Sequence, residues 1–178
     1  MQAAETGLDF LKMPAGELVN FHVVMDTNQG EMEVEFWPDV APDHVRNFLE
    51  LAYTGFYDKK TFHRVIPGFM IQGGCPQGSG MGDGPRKLKA EFSKTKKHTK
   101  GVLSMARSQN PDSASCQFFV MHAVSPHLDG QYSAFGKLVS GEQTLDKIAG
   151  TRTGGNDKPV TTQMINKMSV VRVTPAKS

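Results

Sequence analysis

The sequence predicts a mainly β, antiparallel domain with two helices, and three observations carry that prediction. Apolar and polar residues alternate with period two in several short runs. Glycine occurs 18 times and clusters between those runs. Helical spacing is confined to two stretches that lie far apart in the chain. This pattern suits a closed antiparallel barrel with helices over its ends, and periodicity alone leaves a sandwich nearly level with it. At 178 residues the chain is sized for one domain with one core.

Leu18 to Asp26 reads as the first strand, with Val19, Phe21, Val23 and Met25 on one side. Asn28-Gln29-Gly30 turns the chain. Met32, Val34 and Phe36 then alternate with Glu31, Glu33 and Glu35, which makes a hairpin with one wet face. Pro42 opens a helix at its first position. Val45, Phe48, Leu49 and Ala52 follow at helical spacing, and Gly55 stops it. Short strands are expected near 62–65, 69–72, 101–106, 117–120 and 134–139. Ser140 and Gln143 form a capping-box pattern for a second helix that ends at Gly150. The last strand runs from Ile165 to Val173.

Composition narrows the function. A net charge of +2 implies no global attraction to nucleic acid or membrane. No apolar run approaches the roughly 18 residues that span a bilayer. Met1 to Glu17 carries Glu5 and Asp9 and no long apolar core, so it does not read as a signal peptide, and a cytoplasmic location is expected. Cys75 and Cys116 are expected to be free thiols. The six histidines show no metal-binding spacing, so no metal and no cofactor are expected. Residues 86–100 hold seven Lys or Arg and one acid, Glu91. That segment reads as a solvated loop, with a nucleic-acid patch or steering of acidic clients as alternatives. The glycine-rich stretch from Gly73 to Gly84 lacks the GK[ST] and following helix of a phosphate loop, and reads as a pocket border.

The densest chemistry lies in Phe62-His63-Arg64-Val65-Ile66-Pro67-Gly68-Phe69-Met70-Ile71-Gln72-Gly73-Gly74. It combines a fixed cation, large apolar groups and an amide, which suits an apolar pocket with a polar rim. This block, with Gln117-Phe118-Phe119-Val120, Leu128-Asp129-Gly130 and Phe135-Gly136-Lys137, resembles the cyclophilins, the peptidyl-prolyl isomerases that turn Xaa-Pro bonds. The resemblance runs in register from about Asn20 to Val173. It implies a closed eight-stranded barrel capped by two helices, with the pocket on the barrel's outside. It also implies one isomerase domain over residues 18–178, after an N-terminal extension of residues 1–17.

On that resemblance Arg64 is the catalytic residue. Phe69, Met70, Phe119 and Leu128 form the socket for the proline ring, and Phe118 faces the opposite side from Phe119. Gln72 and Gln117 bind substrate, and Ala106 with the backbone of Arg107 pairs the residue before proline. Arg107 and Tyr132 stand where the best-known eukaryotic chains have asparagine and histidine, and both resemble bacterial cyclophilins. His127 replaces a tryptophan that helps hold cyclosporin, so weakened cyclosporin binding is expected. The partners implied are proline-containing peptides and folding proteins, engaged by a monomer. A proline-binding or chaperone module without turnover is the alternative, and the presence of Arg64 with the rest of the set favours the enzyme.

Overall fold

The computed structural model describes residues 2–173. Among them, nine strands form one antiparallel sheet: β1 (Gln2–Ala3), β2 (Phe21–Thr27), β3 (Gly30–Phe36), β4 (Phe62–Ile66), β5 (Met70–Gly73), β6 (Val102–Met105), β7 (Phe118–Met121), β8 (Ala134–Ser140) and β9 (Ile165–Arg172). Their order across the sheet is β1-β9-β2-β3-β8-β6-β7-β5-β4. The helices are α1 (Ala15–Leu18), α2 (Pro42–Tyr53) and α3 (Glu142–Ala149).

This differs from the expected eight closed strands and two helices. The extra strand, β1, pairs Gln2 and Ala3 with Arg172 and Val171 at one end of β9. At the other end, β9 meets the residues leading into β4 through a single bridge, Thr61 to Met164. The Phe62 N–H donates to the Gln163 carbonyl there, and the Ile165 N–H to the Lys60 carbonyl, each at 2.8 Å. Between these points the Met168 N–H donates to the Asp58 carboxylate at 2.9 Å. A side chain thus occupies the edge where a continuous ladder would run, and the ladder of the described residues is not closed.

The N-terminal segment is packed against the sheet. Phe10 is buried, with its ring edge-on to Phe21 at 5.0 Å and to Tyr53 at 5.2 Å. Leu18 is buried from helix α1, so the first long strand begins at Phe21 rather than Leu18. Val19, expected on the same side as Phe21, is half exposed. The remaining strands lie within a residue or two of their expected bounds.

Helix α2 has Ala41 at its N-cap, which offers no side-chain acceptor. Pro42 has no N–H to satisfy. The next two backbone donors, Asp43 N–H at 3.2 Å and His44 N–H at 2.8 Å, both reach the Glu91 carboxylate. The helix is therefore capped from the middle of the basic segment, by its only acid. Burial alone would raise the Glu91 pKa, but the hydrogen bonds from the His44 ring and from both backbone groups hold it below its ordinary value. The expected capping box of α3 does not form. Ser140 ends β8 opposite Glu33, and the N-cap is Gly141 in the left-handed region at φ 94°. A Cβ at Gly141 would lie 2.4 Å from the Glu31 carbonyl oxygen, so the close approach of α3 to β3 requires glycine.

Replacing Glu91 by Ala leaves two helix-start donors and the buried His44 ring without their partner. The expected loss is about 1–2 kcal/mol of unfolding free energy. Urea unfolding at neutral pH measures it as a lower midpoint with an unchanged slope.

Candidate active site

β6, β7, β5 and β4 lie side by side at one end of the sheet order, and the pleat sorts their side chains. Val65, Ile71, Val120 and Leu103 stand opposite one another across β4, β5, β7 and β6, and all are buried in the main core. The neighbouring register row is Arg64, Gln72, Phe119 and Ser104. Its side chains emerge on the other face, where a second apolar cluster of Met70, Val102, Phe119, Met121, Leu128 and Ala134 forms. Phe118 and Phe119 separate as expected: Phe118 meets Phe48, Tyr57 and Phe62 edge-on in the main core.

A cavity of about 150 Å³ opens on this second face. Phe69, Met70, Phe119 and Leu128 make its apolar wall; Arg64, Gln72, Ala106, Arg107 and Tyr132 make its rim. The Arg64 guanidinium is exposed and lies 3.5 Å from the Gln72 amide oxygen. The Phe119 ring is fixed edge-on by Tyr132 at 5.7 Å.

Two expected residues lie outside this wall. Gln117 lines an adjoining cavity of about 370 Å³. Its amide nitrogen donates to the Gly80 and Gly82 carbonyls, both at 2.9 Å, and its oxygen accepts from Gln72 at 3.1 Å. It therefore ties the glycine-rich loop to the pocket row. His127 is exposed at the edge, with its ring 5.9 Å from that of Phe69. Arg107 turns its guanidinium away over the Tyr132 ring at 4.7 Å and donates to the Gln131 carbonyl at 2.8 and 3.0 Å. Its main-chain N–H and C=O face no partner among the described residues, which leaves a short peptide edge beside Ala106.

The glycine pair is sterically required. A Cβ at Gly73 would lie 2.8 Å from the Thr61 carbonyl oxygen, and Gly74 sits at φ 87° against the Tyr57 ring. No helix follows the loop among the described residues, so it has no phosphate-loop geometry. In the basic segment several cations are already engaged. Arg86 donates to Asn47, Lys87 pairs with Asp83, Lys96 covers the Trp37 ring and Lys100 pairs with Asp146. Cys75 and Cys116 are free and buried. The described residues contain no group of three or more His, Cys, Asp or Glu placed to hold a metal ion, and no helix long and apolar enough to cross a membrane.

The family model described as cyclophilin type peptidyl-prolyl cis-trans isomerase matches residues 22–170. The chain belongs to the cyclophilin family of peptidyl-prolyl cis-trans isomerases. It is 40% identical to a peptidyl-prolyl cis-trans isomerase of Arabidopsis thaliana over 152 residues, covering 83% of this chain and 94% of that one. It is 47% identical to peptidyl-prolyl cis-trans isomerase B of Bacillus subtilis over 112 residues, 62% of this chain and 78% of that one. A crystal structure of a Cryptosporidium parvum cyclophilin in the presence of the dipeptide Ala-Pro superposes with a TM-score of 0.81 at 34% identity, covering 84% of this chain and 98% of that one.

One element of this cyclophilin site has no signal in the sequence. Behind Phe119, the His98 ring stacks on it at 6.2 Å. His98 Nδ1 is 2.9 Å from the Asp129 carboxylate, and its Nε2 is 2.9 Å from the Ser104 hydroxyl. A serine, histidine and carboxylate in line is the arrangement of a nucleophilic triad. Here Ser104 and His98 are buried beneath the pocket, out of reach of a substrate. The trio serves as a brace that holds Phe119 upright. Its residues are 6 and 31 positions apart, so only the fold brings them together.

Burial holds the His98 pKa below its ordinary value, although Asp129 pulls the other way. Burial also depresses His63, helped by Arg64 and Lys158. As pH falls, the unfolded chain takes up protons on these rings before the native state does, so the native state loses stability. The loss should begin near pH 7 and continue through about pH 5, around the ordinary histidine value of about 6.5. Glu91 and Asp129, also depressed, extend it below about pH 4.5. Thermal unfolding at stepped pH measures the slope, and His98→Asn should be less stable at pH 7.5 and show a shallower fall between pH 7 and 5.

Proposed function

We propose that this chain speeds rotation about Xaa-Pro bonds by non-covalent stabilisation of the twisted amide, with Arg64 as the group that favours the twist. The amide C–N bond has partial double-bond character and a rotation barrier of about 18–20 kcal/mol. At the twisted geometry the prolyl nitrogen loses its conjugation and gains a lone pair. A donor aimed at that lone pair binds the transition state better than either planar form. Guanidinium suits the task because it remains charged and keeps a fixed fork of donors. No covalent step and no proton transfer is needed, so no cofactor enters.

The observation that supports this reading is the register row itself. It sets the Arg64 guanidinium at the rim of an apolar cavity sized for a small ring, with Gln72 beside it. The proline ring fits the wall of Phe69, Met70, Phe119 and Leu128. The open peptide edge at Arg107 suits pairing with the residue before proline, as a short added strand. Clients are proline-containing peptides and folding proteins, in keeping with the Ala-Pro present with the Cryptosporidium relative. On the same reading β2 to β9 are an eight-stranded barrel whose seam is the Thr61–Met164 bridge, residues 18–178 are its domain, and the enzyme works as a cytoplasmic monomer.

The test is the cis-to-trans relaxation rate of an Ala-Pro peptide at low temperature. Arg64→Ala should lower kcat/KM by about a hundredfold or more, and Arg64→Lys should recover little of it. Acceleration unchanged by Arg64→Ala would remove Arg64 from the chemistry. Binding of the peptide without any acceleration by the native protein would leave a proline-binding module. His127→Trp should tighten cyclosporin binding by about tenfold, the equivalent of 1.4 kcal/mol, read by calorimetry.

A further inference from the structure

Arg64 and Gln72 line not only the proline cavity but also a larger one, of about 570 Å³. Its walls are β4 and β5, the loop at Gly78 to Gly80, and the turn from Gly155 to Lys158. Arg64 and Lys158 both line it, and among the described residues neither has a carboxylate within 4.0 Å. Asp157 is the one carboxylate on the wall, so two cations outweigh it by one charge. Asn156 and Asp157 are successive non-glycine residues in the left-handed region, at φ 58° and 57°. Such backbone is unfavourable unless its surroundings hold it.

The third group is His63, which is 8% exposed and lines the same cavity. Its Nδ1 is buried with no hydrogen-bond partner. A buried lone pair left unpaired is tolerated better than a buried unpaired N–H. The neutral ring therefore carries its proton on Nε2, the atom that faces Gly80 across the cavity rim. The wall thus offers two unpaired cations and one neutral N–H donor. A neutral side chain would leave the cations without a partner. A carboxylate would satisfy them and complete the set.

We propose that this cavity is an accessory subsite for a carboxylate side chain of the client, on an Asp or Glu within two residues of the proline. The inference rests on the isomerase reading, because Arg64 and Gln72 are shared with the proline cavity and fix how far apart proline and acid can lie. Arg64 touches both groups, and Lys158 and His63 touch only the acid.

The experiment is kcat/KM, from cis–trans exchange, for Ala-Pro peptides in which Glu replaces Ala at each of the two positions before and the two after proline. At one of these positions Glu should raise kcat/KM about three- to tenfold over the neutral peptide, and the gain should shrink in 0.5 M salt. Lys158→Ala should bring the Glu-to-Ala ratio at that position close to one. Binding of that peptide should also move the His63 pKa upward in an NMR titration, since an anion beside the ring favours its protonated form. Equal turnover of all the peptides, or a ratio unmoved by Lys158→Ala, overturns the subsite and leaves the isomerase intact. Absence of turnover for every peptide instead overturns the isomerase reading on which it depends.

Discussion

The pleat of four short strands governs this molecule. β6 and β7 are buried throughout and β4 and β5 over most of their length, and the pleat sends alternate residues to the core and to the pocket face. Val65, Ile71, Val120 and Leu103 fill the interior, and a one-residue shift of register would exchange them with Arg64, Gln72, Phe119 and Ser104. Such a slip would place a guanidinium and an amide in the apolar interior. Core packing and site assembly are therefore a single constraint, since the interior row that fixes the register also fixes where Arg64 stands.

Other features secure that arrangement from outside the sheet. Gln117 spends its amide on the loop carbonyls of Gly80 and Gly82 and on Gln72, which fixes the loop against the row. His98, held by Asp129 and Ser104, backs the Phe119 ring from beneath. Glu91 caps α2 from a loop that lies nearly fifty residues further along the chain. Each is a polar group satisfied inside the protein, and buried polar groups fully paired in this way favour a single arrangement.

Much of this was legible in the sequence, for a physical reason. Alternation with period two is local, so β3 to β9 are legible within a residue or two of their bounds, and the split of Phe118 from Phe119 follows from it. The proposed proline socket and the role of Arg64 come from the resemblance, because it lies in a few contiguous motifs. What could not be read depends on partners distant in the chain. Leu18 carries a strand-like local pattern, but its helical turn is selected by burial in the core cluster that also holds Phe10. Ser140 and Gln143 looked like a cap, but Ser140 is used to end β8 and a close backbone approach selects Gly141. At the β9 edge the Asp58 side chain, distant in the sequence, takes the Met168 N–H that a neighbouring strand would otherwise accept. The cavity at Lys158 joins segments more than seventy residues apart and leaves no local pattern.

The residues of the register row come from four successive strands, but the row brings together residues from Arg64 to Phe119. No fragment of the chain ending before β7 contains both Arg64 and Phe119. Contacts of this kind close long loops and form late in folding. On the proposed function, the protein thus has nothing to offer its own emerging chain. Its first competent copy must fold at the uncatalysed rate, and every later one can be helped only by a molecule already complete.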